Sequence, residues 1–159
     1  MTDAPPDDAQ PLTTPTSLQP TLEEPQDPLP EVALEELPDR LQTAAGRPGW
    51  TTLMPVQARA IPYLLAGRDM VIQARTGSGK TAAFGIPLLQ KLNPRFFGIQ
   101  SLVLCPTREL CTQVANELRK LAQYQQNIKI VVLCGGVSIG PQIASLEHGA
   151  HVIVGTPGR

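Results

Sequence analysis

Apolar positions along this chain follow two rhythms that alternate with one another. Short runs at 70–73, 101–105, 128–133 and 152–154 have strand length and carry Val and Ile. Between them the spacing becomes helical. Leu34, Leu37, Leu41, Ala44 and Ala45 form one stripe, and Ala58, Ile61, Leu64 and Leu65 a second. Phe84, Ile86, Leu88, Leu89 and Leu92 form a third, and Leu110, Val114, Leu118 and Leu121 a fourth turned inward. A short helix is expected near 141–146. The punctuation agrees: Pro38 suits a first turn, Gly46 a stop, and Thr107 a cap, while Asn93-Pro94 ends the third helix. Pro62 is expected to kink or restart its helix and Pro87 to bend the next. The unbroken run 101–105 predicts a strand buried on both faces. Strands alternating with helices predict an α/β fold, a parallel sheet joined by right-handed crossovers with helices on both faces.

Composition divides the chain. Residues 1–30 hold eight prolines and no aromatic residue, too little apolar surface to offset ordering, and predict a disordered acidic tail ahead of a domain over 31–159. Of the 14 acidic residues nine lie within 1–36, which has no Lys or Arg. The remaining five face 13 basic residues in 37–159, a body of net charge about +8 suited to an anionic partner. Cys105, Cys111 and Cys134 lack metal-ligand spacing and read as reduced thiols of a cytoplasmic protein. No basic, apolar leader opens the chain, and no run reaches membrane-spanning length. His148 and His151 have no acidic or Cys neighbours at ligand spacing, so a loop role is expected for both.

The densest chemistry lies at Ala74-Arg75-Thr76-Gly77-Ser78-Gly79-Lys80-Thr81, between the first apolar run and a helical stripe. Run, glycine-bearing loop, Gly-Lys-Thr and helix make a phosphate-binding loop. Backbone N–H groups at a helix start cradle an anion, and Gly77 and Gly79 allow close approach. Lys80 is placed for the β and γ phosphates and the Thr81 hydroxyl for Mg²⁺. These residues make ATP and Mg²⁺ the expected ligands. Ala74 stands where the common pattern has Gly, and Arg75 carries no catalytic role.

Four stretches in order then resemble the superfamily-two DEAD-box RNA helicases. The Gln57 region, 74–81, Pro106-Thr107-Arg108-Glu109-Leu110 and Thr156-Pro157-Gly158-Arg159 look like the Q motif and motifs I, Ia and Ib, with Gly135-Gly136 at the family's GG element. The likeness covers 31–159 and is strongest to the bacterial DbpA-like branch. It implies a RecA-like first helicase lobe in which Gln57 reads the adenine edge. It further implies that Pro106, Thr107, Arg108, Gly135, Gly136 and Thr156 to Arg159 line an RNA face at the carboxyl ends of the strands. Two departures stand out. Val32 occupies the place of the family's adenine-stacking aromatic, and Leu53-Met54 replace its usual Pro-Thr.

The resemblance also implies that the Asp-Glu-Ala-Asp carboxylates and a second RecA-like lobe lie outside these 159 residues. The expectation is therefore that the isolated chain binds ATP weakly and hydrolyses none measurably, with apolar surface left open along 152–154. Two other readings fit the same residues. One is a short nucleotide- or RNA-binding module without helicase activity. The other is a P-loop ATPase acting on something other than RNA.

Overall fold

A computed structural model describes residues 25–46 and 49–159, so the tail expected over 1–30 falls outside the described residues as far as position 24. Three of the four apolar runs become strands: β1 (Ser101–Leu104), β2 (Ile130–Leu133) and β3 (Val152–Gly155). All pair in parallel, in the order β1-β3-β2, with Leu104, Gly155 and Leu133 abreast. The strand that comes last in the chain thus takes the centre. This overturns two expectations. The 152–154 surface is not open, because Val152, Ile153 and Val154 are paired on both sides and 0%, 8% and 0% exposed. β1 is an edge strand instead of one buried on both faces. Leu102 and Leu104 are 60% and 59% exposed, while Val103 packs on the core.

The fourth run, 70–73, forms no strand. A strand exists only where a neighbour takes its backbone N–H and C=O groups, and the described ladder joins β3 to β1 and β2 alone. Val71 is left almost fully exposed.

The first helical stripe divides into a single 3-10 turn (Leu34–Glu36) and α1 (Asp39–Gly46), which buries Leu41 and starts after Pro38. α2 (Pro55–Leu65) begins before its apolar stripe, with Pro55 at the first position, where a missing N–H costs nothing. Pro62 does not break this helix. Its ring leaves the Ala58 carbonyl without an intrahelical donor, and the Val32 N–H fills that place at 3.1 Å. The proline therefore creates the attachment point for the segment that precedes α1. Tyr63 strengthens the attachment by accepting the Leu29 N–H at 2.9 Å. Arg68 lies 5.7 Å from the Tyr63 ring centroid and donates to the Asp27 carbonyl at 2.7 Å.

α3 (Lys80–Lys91) and α4 (Arg108–Leu121) supply most of the remaining core, with Pro87 accommodated inside α3. In α4 the inward stripe is Cys111, Val114, Ala115, Leu118 and Leu121. Leu110, expected to face inward, is 37% exposed and its neighbour Cys111 is fully buried. Thr107 does cap α4, its Oγ1 accepting the Leu110 N–H at 3.2 Å. Thr107→Ala is expected to lower stability by about 1 kcal/mol. Chemical denaturation reads this, and an unchanged midpoint would mean the cap contributes nothing.

α5 (Gly140–Glu147) packs against β2. His151 lies in the loop before β3, as expected, yet is fully buried there: its Nδ1 accepts the Lys129 N–H at 3.0 Å and its ring lies 4.9 Å from that of Phe97. Among the described residues no helix is long and apolar enough to cross a membrane.

Candidate functional site

The phosphate loop is shaped by two glycines in the left-handed region, Gly77 (φ 79°) and Gly79 (φ 85°). Gly79 is the position where that freedom is obligatory, because it caps α3 and leaves no room for a side chain. A Cβ there would collide with the Gln57 amide nitrogen and lie 3.0 Å from the Met54 sulfur. Helix α2 is thus pressed directly onto the loop.

Gln57 makes that contact specific. It is 1% exposed, its Oε1 accepts the Met54 N–H at 2.9 Å, and its Nε2 donates to the Gly79 carbonyl at 3.2 Å. One amide hydrogen and one oxygen lone pair stay uncommitted by these bonds, enough for a donor–acceptor pair on a base edge. Met54 caps α2 without a side-chain hydroxyl, and its thioether covers the loop where the resembling family has Thr. Val32 is held by its backbone to Ala58 and packs on the core.

Lys80 curls back over the loop, donating to the carbonyls of Ala74 and, at 2.6 Å, Arg75. The Ser78 N–H donates to the Arg75 carbonyl at 3.3 Å. The Ser78 hydroxyl is buried with no hydrogen-bond partner among the described residues. A cationic amine held by weak neutral acceptors, an orphaned hydroxyl and a helix N-terminus together fit a polyphosphate. Thr81, in the first turn of α3, is half-buried and offers its hydroxyl beside that position, a hard oxygen donor of the kind Mg²⁺ takes.

A second constellation gathers at the carboxyl ends of the strands. Pro106, Thr107 and Arg108 follow β1, Gly135 and Gly136 follow β2, and Thr156, Pro157, Gly158 and Arg159 follow β3. All nine residues are exposed or half-buried. Three stretches far apart in sequence therefore meet on one edge because their strands are adjacent and in register. Gly136 (φ 76°) lies against Arg108, and a Cβ there would come within 2.7 Å of the guanidinium. Arg159 reaches across the same loop, donating from Nε to the Cys134 carbonyl (3.1 Å) and from Nη2 to the Val137 carbonyl (2.7 Å).

Sequence reasoning missed Gln142, which clamps the start of the Gly135-Gly136 turn. Its Oε1 accepts the Cys134 N–H at 3.2 Å and its Nε2 donates to the Cys134 carbonyl at 3.0 Å. No local pattern marks a glutamine eight residues from its partner. Arg108, Gln142 and Val137 line a cleft of about 460 Å³ between α4, the end of β2 and α5.

Comparison with known proteins agrees with this geometry. The DEAD/DEAH box helicase family profile matches residues 54–159. The ATP-dependent RNA helicase DbpA of Escherichia coli is 55% identical over 126 residues, which is 79% of this chain and 28% of that protein. The DEAD-box ATP-dependent RNA helicase CshA of Bacillus subtilis is 48% identical over 119 residues, covering 75% of this chain and 24% of its own length. Among solved structures, a DEAD box protein from Methanococcus jannaschii superposes with a TM-score of 0.74 at 42% identity, over 81% of this chain and 36% of that one. The chain thus spans about a quarter of the length of these curated relatives. It carries the front portion of a RecA-like lobe and belongs to the DEAD/DEAH box helicase family.

Proposed function

We propose that this chain is the ATP-binding front portion of an ATP-dependent RNA helicase, which couples ATP hydrolysis to local opening of RNA duplexes. The observation that carries the reading is the gathering of Arg108, Gly136 and Arg159 at adjacent strand ends, on a chain that also holds a complete Gly-Lys-Thr loop. ATP is the substrate, and bound Mg²⁺ would neutralise charge on its terminal phosphates. Residues 74–81 would wrap the phosphates with backbone N–H groups, Lys80 would leave the Ala74 and Arg75 carbonyls to pair with them, and the Thr81 hydroxyl would hold the metal. Gln57 reports the base to the loop, because the same amide grips Gly79.

RNA would lie along the strand ends, its phosphates met by Arg108, the α4 N-terminus capped by Thr107, and the backbone of Gly135, Gly136 and 156–159. Such contacts are independent of base sequence. In this reading a second RecA-like lobe, supplied beyond this chain, completes the RNA channel and the catalytic centre, and the protein works in the cytoplasm.

Filter binding of a short single-stranded RNA across a salt series tests the RNA face. Arg108→Ala is expected to weaken binding equally for unrelated sequences and to reduce the slope of log K against log salt by about 0.7. An unchanged slope and affinity would remove Arg108 from the interface. Should neither protein bind RNA while ATP still binds, the P-loop ATPase acting on another partner becomes the better reading.

A further inference from the structure

Cys105, Cys111 and Cys134 are free, buried and unused by the function proposed above. They are not scattered. Cys105 follows Leu104 and Cys134 follows Leu133, residues that stand abreast on either side of Gly155. Alternation along the strands puts both thiols on the sheet face of Val103 and Val132, which packs on the core beneath α4. Cys111 descends from the inward stripe of α4 into the same buried cluster as both, close enough that the two thiols act on its own.

The arrangement restricts what these thiols can do. Cys105 and Cys134 are separated by β3, two strand spacings or about 9.6 Å. That exceeds the roughly 7 Å between Cα atoms that a disulfide tolerates. Any bridge within the trio must therefore use Cys111. Access is just as uneven. Cys134 lines the 460 Å³ cleft beside Arg108 and Thr112, whereas Cys105 and Cys111 do not. Burial, reinforced by the neighbouring thiols, pushes Cys111 up to about 12, so it stays protonated at neutral pH and is no first nucleophile.

We propose that the trio is an oxidative modification site, in which hydrogen peroxide entering the cleft oxidises Cys134 and Cys111 then closes a disulfide with it. In the first step the Cys134 sulfur attacks one peroxide oxygen, the O–O bond breaks, and Cys134 becomes a sulfenic acid as water leaves. In the second, the Cys111 sulfur attacks the Cys134 sulfur and displaces its hydroxyl, which departs as water with the Cys111 proton. Two thiols are oxidised by two electrons, and one peroxide is reduced to two waters.

The bond would tie α4, three residues from Arg108, to the residue before Gly135-Gly136. Cys134 is already gripped by Gln142 and Arg159, so its displacement passes to both. The consequence for RNA rests on the proposed function, but the bridge itself does not.

The test treats the folded full-length protein carrying this chain with hydrogen peroxide, then alkylates and digests it under denaturing conditions. The expected product links the peptide bearing Cys111 to that bearing Cys134 and is reversed by dithiothreitol. Cys105→Ser should keep the bridge. Cys111→Ser should lose it and leave a Cys134 sulfenic acid that dimedone traps. Three intact thiols, a wild-type Cys134 that goes on to sulfinic acid unbridged, or a Cys105–Cys134 link would each overturn the proposal. RNA binding measured on the same samples separates the two claims. A bridge that leaves RNA affinity unchanged supports the site and counts against the RNA role of Arg108.

Discussion

Lys80→Ala is expected to lower ATP hydrolysis by the protein carrying this chain about 10²–10³-fold. That is the range for removing one preorganised charge-stabilising donor in a water-excluded site. The amine has a fixed place before nucleotide arrives. It bridges the Ala74 and Arg75 carbonyls, so the loop already holds a cation where the proposed function puts the phosphates. Substitution removes this charge and the bonds that keep the loop closed. Lys80→Arg serves as the partner variant, since it keeps the charge but cannot occupy the same point on a tight loop. Turnover at saturating ATP is the readout, with a denaturant titration alongside to show that the variants remain folded. Wild-type turnover in Lys80→Ala would mean that the loop is not the catalytic phosphate site.

The largest stability effect is expected at Leu118. This residue is fully buried where α4 crosses α3, close enough that a Cβ at Gly85 would lie 2.7 Å from its Cδ2. Gly85 lets the helices approach and Leu118 fills the space so created. Leu118→Ala removes the filler while the close-packed backbones resist collapse, so transfer and cavity terms add to about 2–5 kcal/mol. A urea titration should show a lower midpoint with an unchanged slope. A shift within experimental error would mean that α3 and α4 do not pack as described.

What was legible in the sequence follows from how local each signal is. The phosphate loop depends on eight consecutive residues, and the structure keeps its glycine geometry and helix start where the pattern puts them. Thr107 declared itself as a cap for the same reason. The strand-end cluster was legible only through the resemblance, because the meeting of Arg108 with Gly136 depends on strand order. Strand order is also where sequence reading failed. An apolar run does not record its neighbours, so β1 looked doubly buried and β3 looked exposed, whereas pairing reversed both. The run 70–73 has strand composition without a described partner. In α4 the apolar count favoured Leu110, but helix rotation turned Cys111 inward, and with it the thiol trio came together. The Val32 backbone took up the carbonyl that Pro62 released, a use of proline that a breaker rule does not anticipate.

In the proposed function, one phosphate loop on this chain serves an RNA-dependent ATPase. The most direct measurement is ATP turnover by the full-length protein carrying this chain, with and without RNA. Turnover is expected to rise with RNA and to fall back when salt strips the RNA away. Turnover indifferent to RNA at every salt concentration would contradict it.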